Sequence, residues 1–132
     1  MPTVRVDSIA AGGDGVGRLD GLAVFIPRTA PGELVEASVR QRGRMARGRL
    51  LRVLEPSPDR VAPLCRHYDA DHCGGCQLQH LTIEAQLRAA QVLAVQRVLA
   101  RTNWQKIADG RTAHDVHPEA VADADQAFNQ LR

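Results

Sequence analysis

Apolar and polar positions along residues 3–55 alternate in short runs, the pattern of half-buried strands. Val4, Val6 and Ile9 open the series. Two further runs, Gly17–Leu19 and Leu22–Ile26, flank Asp20-Gly21. Asp-Gly between such runs predicts a tight hairpin, because a type I′ turn needs positive φ. Pro31-Gly32 marks the next turn. Val35, Ala37 and Val39 then alternate with Glu36, Ser38 and Arg40. Gln41–Arg44 turns the chain, and Ala46, Gly48 and Leu50 alternate with Arg47 and Arg49 on a last strand that runs to Leu54. Five short strands with small turns predict an OB-like barrel. Pro56-Ser57-Pro58 closes it, since proline cannot continue a ladder.

The pattern changes after residue 58. Residues 59–80 are dense in Cys and His and carry neither period, which predicts a loop. Residues 82–101 predict one helix, with Thr82 as N-cap and Glu84 in its first turn. Ile83, Leu87, Ala90, Ala94 and Val98 share one face at helical spacing, and ordinary packing accounts for that stripe. Beyond Arg101, Gly110 and Pro118 interrupt the pattern, leaving a short helix over 119–131. The fold class is therefore mainly β with α: a five-stranded barrel over 1–56, a Cys-rich loop over 57–80, a helix over 81–101 and a poorly defined tail over 102–132.

Composition sharpens this outline at three points. The chain has 132 residues, enough for one domain or two very small ones. The net charge of +2 is ordinary, but its distribution is not: six arginines lie between Arg40 and Arg52 with no acid among them. Period-two alternation puts Arg40, Arg42, Arg47 and Arg49 on one face of their strands, with Arg44 at the turn. Such a face suits a polyanion, because guanidinium groups match phosphate oxygens bidentately. A solvated surface in an Arg-rich protein would look the same, since sixteen of the seventeen Lys and Arg residues are Arg. Stacking aromatics are scarce, with Phe25 alone in the barrel, which favours recognition of backbone and shape. No apolar run reaches signal-peptide or membrane-spanning form, so the expected location is cytoplasmic, with no membrane partner.

Two motifs remain. Gly12-Gly13-Asp14-Gly15-Val16-Gly17-Arg18 lacks the Gly-Lys-Ser/Thr ending and the following helix of a phosphate loop, so it is expected to be a turn between strands. Cys65, Cys73 and Cys76 are an odd number of thiols, which points away from a disulfide framework and toward metal or redox chemistry. Cys73-Gly74-Gly75-Cys76 can place two thiolates on one centre, with Cys65 as a third. An iron–sulfur cubane wants four ligands, normally all Cys. A zinc site could take these three with His67, His72 or His80. A redox pair would want a thioredoxin-like setting, which the pattern lacks.

Cys73-Gly74-Gly75-Cys76-Gln77-Leu78-Gln79-His80 resembles the CGGC-x-x-QH signature of the RNA (uracil-5-)-methyltransferases of the ribosomal-RNA type. Glu55–Val61 and Pro63-Leu64-Cys65 resemble that family's approach to its cluster. Pro27, Ala30-Pro31-Gly32-Glu33 and Gly15-Val16-Gly17-Arg18 resemble turns of its N-terminal TRAM domain, an OB-like RNA-binding barrel. The resemblance covers residues 1 to about 101. It implies a TRAM-like barrel that binds RNA, ribosomal RNA in particular; the arginines expected to carry that binding are Arg18, Arg40, Arg42, Arg44, Arg47, Arg49 and Arg52. It implies a [4Fe-4S] cluster on Cys65, Cys73 and Cys76 plus a further Cys, with zinc as the alternative metal. It also implies a catalytic domain that uses S-adenosylmethionine. No residue of this chain matches that domain's catalytic motif, so the expectation is an N-terminal module truncated before it. The alternative is a stand-alone RNA-binding or RNA-chaperone protein with a zinc or empty Cys site.

Overall fold

The structure, a computed structural model, describes residues 1–71 and 73–131. Strands β1 (Thr3–Ile9), β2 (Gly15–Leu19), β3 (Leu22–Ile26), β4 (Leu34–Arg42) and β5 (Met45–Glu55) close a barrel in the order β1-β2-β3-β5-β4. The parallel pairing of β3 with β5 completes the closure. Asp20 and Gly21 both take positive φ, 50° and 79°, as the hairpin signal required. The barrel interior is filled by Val4, Val6, Val24, Ile26, Val35, Ala37 and Ala46, all fully buried. These are the inward positions of the alternation, so the mainly-β, OB-like expectation is met.

A break in that alternation matters for the outer face. Ala37 pairs with Leu50 but Glu36 pairs with Arg52, so Leu51 is an extra residue on β5. Strict alternation from Leu50 would turn Arg52 inward. The bulge re-phases the strand, leaving Leu51 and Arg52 exposed and returning Val53 to the core.

The chain divides into two compact units, Met1–Gln86 and Leu87–Arg132. In the first unit the segment after β5 is tied to the barrel. Leu81 and Ala85 pack with Ala30, and Ile9 and Leu78 border this small cluster. A helical turn, α1 (His67–Ala70), lies within the loop.

Helix α2 runs over Ile83–Ala108, seven residues past the expected end at 101. Its expected packing stripe is corrected by the structure. Ile83, Leu87 and Val98 are 67%, 59% and 64% exposed, and Ala90 and Ala94 are exposed as well. Apolar residues occur all round this helix, so periodicity leaves the phase open. Ala85, small enough for close approach, sets the buried side against Leu81 and Ala30.

Helix α3 (Ala113–Asn129) begins six residues before the expected 119 and contains Pro118. A capping box supports that early start: the Thr112 hydroxyl accepts from the Asp115 amide, and the Asp115 carboxylate accepts from the Thr112 amide. Arg111 and Lys106 both bind Glu119 and hold its carboxyl down at about 2. Among the described residues, no helix is long and apolar enough to cross a membrane.

Candidate nucleic-acid interface and cysteine loop

The register of β2, β3, β5 and β4 assembles one continuous outer face. Arg18 pairs with Ala23, Ala23 with Met45, and Met45 with Arg42. In the next row Val16 pairs with Phe25, Phe25 with Arg47, and Arg47 with Arg40. Arg49 follows, opposite Ser38. The arginines expected on one face therefore share it, with Arg44 at the β4–β5 turn.

Their pairing divides them. Arg47 binds Asp14 at 2.9 Å, reaching across β3, and Arg52 binds Glu36 at 3.0 Å. Arg18, Arg40, Arg42, Arg44 and Arg49 are exposed and make no ion pair among the described residues. Five guanidinium groups on this side of the barrel present charge to solvent, with no acid pairing with them among the described residues. Phe25 lies half-buried between Val16 and Arg47, outside the core cluster.

Glu33 joins this barrel to the cysteine loop. Its carboxylate is fully buried and accepts from Arg60 Nε at 2.6 Å and Arg60 Nη2 at 2.9 Å. It also accepts from the amides of Ala30 (2.8 Å) and Ser57 (3.3 Å). Burial by itself would raise the carboxyl's pKa. Arg60 and the two amides outweigh it and hold the group below the usual carboxylate value.

The same guanidinium pins a strained residue. Arg60 Nη2 donates to the Arg28 carbonyl at 2.7 Å. Arg28 has φ +65°, a left-handed conformation that costs a residue with a Cβ roughly 1 kcal/mol. Its neighbour Thr29 is fixed on both sides, its hydroxyl donating to the Ile26 carbonyl and its own carbonyl accepting from His80 Nε2 at 2.9 Å. The Arg28 guanidinium lies 4.6 Å from the centroid of the Tyr68 ring and 3.5 Å from Asp69 Oδ1.

His80 is buried, and both its ring nitrogens are engaged. Nε2–H serves the Thr29 carbonyl, so in the neutral ring Nδ1 accepts from the Tyr68 hydroxyl at 2.8 Å. That hydroxyl also stands 2.8 Å from the Gln77 carbonyl and has one proton for the two acceptors. Burial pushes the His80 pKa down, the Thr29 carbonyl opposes this, and the nearby Arg60 charge adds to it.

The cysteine loop rests against the glycine-rich turn. A Cβ on Gly13, where φ is +93°, would come within 2.7 Å of Gln77 Cβ, so glycine is required there by both conformation and close approach. Cys73 and Cys76 line a cavity of about 160 Å³ with Gly13, Asp14, Arg28 and Tyr68. Cys65 does not line it. All three cysteines are free and exposed.

Among the described residues, no three Cys, His, Asp or Glu side chains form a group able to hold a metal ion. The donor chemistry suits a thiolate-bound metal, and Cys73 and Cys76 line one cavity that Cys65 does not. Among the described residues the three cysteines leave a four-cysteine cluster one ligand short. His80 is removed as the zinc alternative, because both nitrogens are already used. His67 is engaged as well, with Nδ1 on Asp71 and Nε2 accepting from Arg66 Nε. His72 lies outside the described residues.

The domain family described as TRAM matches residues 3–51, the span of the barrel short of the end of β5. The N-terminal part of the chain also shares its sequence with RNA methyltransferases. It is 47% identical over 85 residues to an uncharacterized RNA methyltransferase of Caulobacter vibrioides, covering 64% of this chain and 19% of that one. It is 44% identical over 88 residues to the 23S rRNA (uracil(1939)-C(5))-methyltransferase RlmD of Nitrosococcus oceani, covering 66% and 19%. Among solved structures, the crystal structure of Pyrococcus abyssi tRNA (uracil-54, C5)-methyltransferase with S-adenosyl-L-homocysteine matches with a TM-score of 0.50 and 26% identity. That match covers 74% of this chain and 21% of the other. The chain thus spans about a fifth of the length of these relatives. The matched span carries every arginine of the outer face except Arg52, which lies on β5 one residue past it.

Proposed function

We propose that the TRAM barrel binds RNA through its arginine face, as the RNA-holding part of a uracil-C5 RNA methyltransferase acting on ribosomal RNA in the cytoplasm. The observation that carries this is the set of five exposed arginines, on a barrel that matches the TRAM family, with no ion pair among the described residues. Two of the relatives modify uracil in ribosomal or transfer RNA by name, and RNA is the polyanion those names supply. Arg18, Arg40, Arg42, Arg44 and Arg49 would contact phosphates directly. Arg47 and Arg52 would contribute only by exchanging Asp14 and Glu36 for RNA. Phosphate contacts set register along a strand without reading its sequence. No residue of this chain is proposed to transfer the methyl group, and S-adenosylmethionine would act in a part of such an enzyme that these residues do not form.

Cys65, Cys73 and Cys76 would serve as ligands of an iron–sulfur cluster, with a fourth ligand from elsewhere and with Cys65 drawn toward the other two. The metal would supply rigidity to the loop, and RNA binding by the barrel does not depend on it in this proposal.

The test is a titration of the full chain against an unmodified 23S rRNA fragment across a salt series. The expected result is binding that weakens steeply as salt rises, because neutralised phosphates release counterions. Absence of salt-sensitive binding would overturn the proposal.

A further inference from the structure

A groove of about 710 Å³ lies in the first compact unit, between the outer side of β5 and the residues that follow it. That volume is in the range of small-molecule and nucleotide pockets. Pro27, Leu51 and Pro63 give it apolar surface, and Arg28, Arg49, Arg52 and Arg60 line it against a single acid, Asp69. The arginines differ in what they can do. Arg60 is spent on buried Glu33, and Arg52 is paired with Glu36. Arg49 makes no ion pair among the described residues and also belongs to the outer face.

Arg28 is the built feature. Its backbone is strained at φ +65° and is held there by the Arg60 bond to its carbonyl and the fixed Thr29 beside it. What this conformation achieves is the placement of a planar cation at the groove wall. Its Cζ lies 4.6 Å from the centroid of the Tyr68 ring, and its Nη1 lies 3.5 Å from Asp69. A residue without a Cβ would sit there without strain, so the backbone does not explain the arginine.

We propose that the groove is a subsite for one unpaired nucleotide of the bound RNA, its base stacked on the Arg28 guanidinium and its phosphate held by Arg49. This rests on the RNA-binding reading of the barrel face and extends it to a base contact. A guanidinium plane stacks on any base face, while an apolar floor and a free cation accept the base edge and the phosphate. Arg49 links the groove to the face, so one strand can pass from the Arg40–Arg42 rows into it.

The experiment uses the full chain and a single-stranded RNA of roughly a dozen nucleotides, intact or with one abasic nucleotide walked along it. The expected result is one abasic position that weakens wild-type binding by about fivefold or more. Arg28→Gly weakens the intact RNA by a similar factor and no longer senses that position. Arg28→Lys keeps the wild-type salt slope yet loses the same base sensitivity, which separates stacking from charge and from any folding defect. Arg49→Ala weakens both RNAs and lowers the salt slope. If wild type binds with salt dependence and Arg49→Ala lowers it, while both Arg28 variants and every abasic RNA match wild type on intact RNA, the groove proposal falls and the barrel-face reading stands. If wild type does not bind RNA, both fall.

Discussion

Glu33 and Arg60 meet through two hydrogen bonds, 2.6 and 2.9 Å, at a carboxylate with no solvent exposure. The pair joins the turn before β4 to the segment after β5, so it fixes the cysteine loop to the barrel. Breaking such a pair from one side strands the other charge. Glu33→Gln should therefore lower unfolding stability by about 3 kcal/mol in urea denaturation. A loss below about 1 kcal/mol would reduce the pair to a surface interaction. In Arg60→Met only the Ala30 and Ser57 amides oppose the burial of the Glu33 carboxylate. Its Glu33 pKa should rise from the wild-type value, so this variant should lose less stability than wild type on acidification.

His80 gives a separate pH signature. Burial, with Arg60 nearby, lowers its folded pKa below the ordinary 6.5, while Glu33 and the Thr29 carbonyl act the other way. Between the folded and unfolded values the unfolded chain binds more protons, so stability falls as pH drops below about 6.5. The Glu33 contribution is lost lower, below about 4.5. His80→Gln retains an amide donor and acceptor and should abolish the first loss while leaving the second. Melting curves from about pH 8 to about pH 2.5 read both; an unchanged upper step in the variant would contradict the assignment.

The barrel was legible in the sequence because each strand buries one face, and period-two alternation records that directly. The shared face of Arg40, Arg42, Arg47 and Arg49 follows from the same rule. Arg52 does not, since its outward position depends on the bulge at Leu51, which leaves no mark in the pattern. The burial of Glu33 and Arg60 was equally hidden: each looks like a surface charge until the fold brings them together across 27 residues. Arg28 was missed because left-handed strain in a non-glycine residue has no sequence signal. The α3 start was readable in Thr112 and Asp115, a capping pair overshadowed by Pro118. The phase of α2 was not readable, because its apolar residues surround the axis.

The cysteine loop calls for metal chemistry in the full chain. Anaerobic reconstitution with iron and sulfide should give a broad visible absorption that is lost in Cys73→Ser. A cluster short of one protein ligand should bleach faster in air than one with four. If only zinc is retained and no visible band forms, the iron–sulfur assignment is wrong for these cysteines. If neither metal is retained, the loop has no metal-holding role.

The capping pair on α3 offers a local check. Thr112→Ala removes the side-chain acceptor for the Asp115 amide and should cost about 1 kcal/mol of stability. Circular dichroism should show reduced helix and no change in the strand signal; equal loss of both would mean that α3 and the barrel unfold together.

The salt dependence of RNA binding by the Arg40→Ala/Arg42→Ala/Arg49→Ala variant tests the account most directly. Each single-strand phosphate neutralised contributes roughly −0.7 to the log–log slope. The variant should therefore bind unrelated RNA sequences more weakly, with a slope shallower by about 2, while its melting temperature stays near wild type. An affinity and slope unchanged from wild type would contradict the account and return the arginine face to ordinary solvated surface.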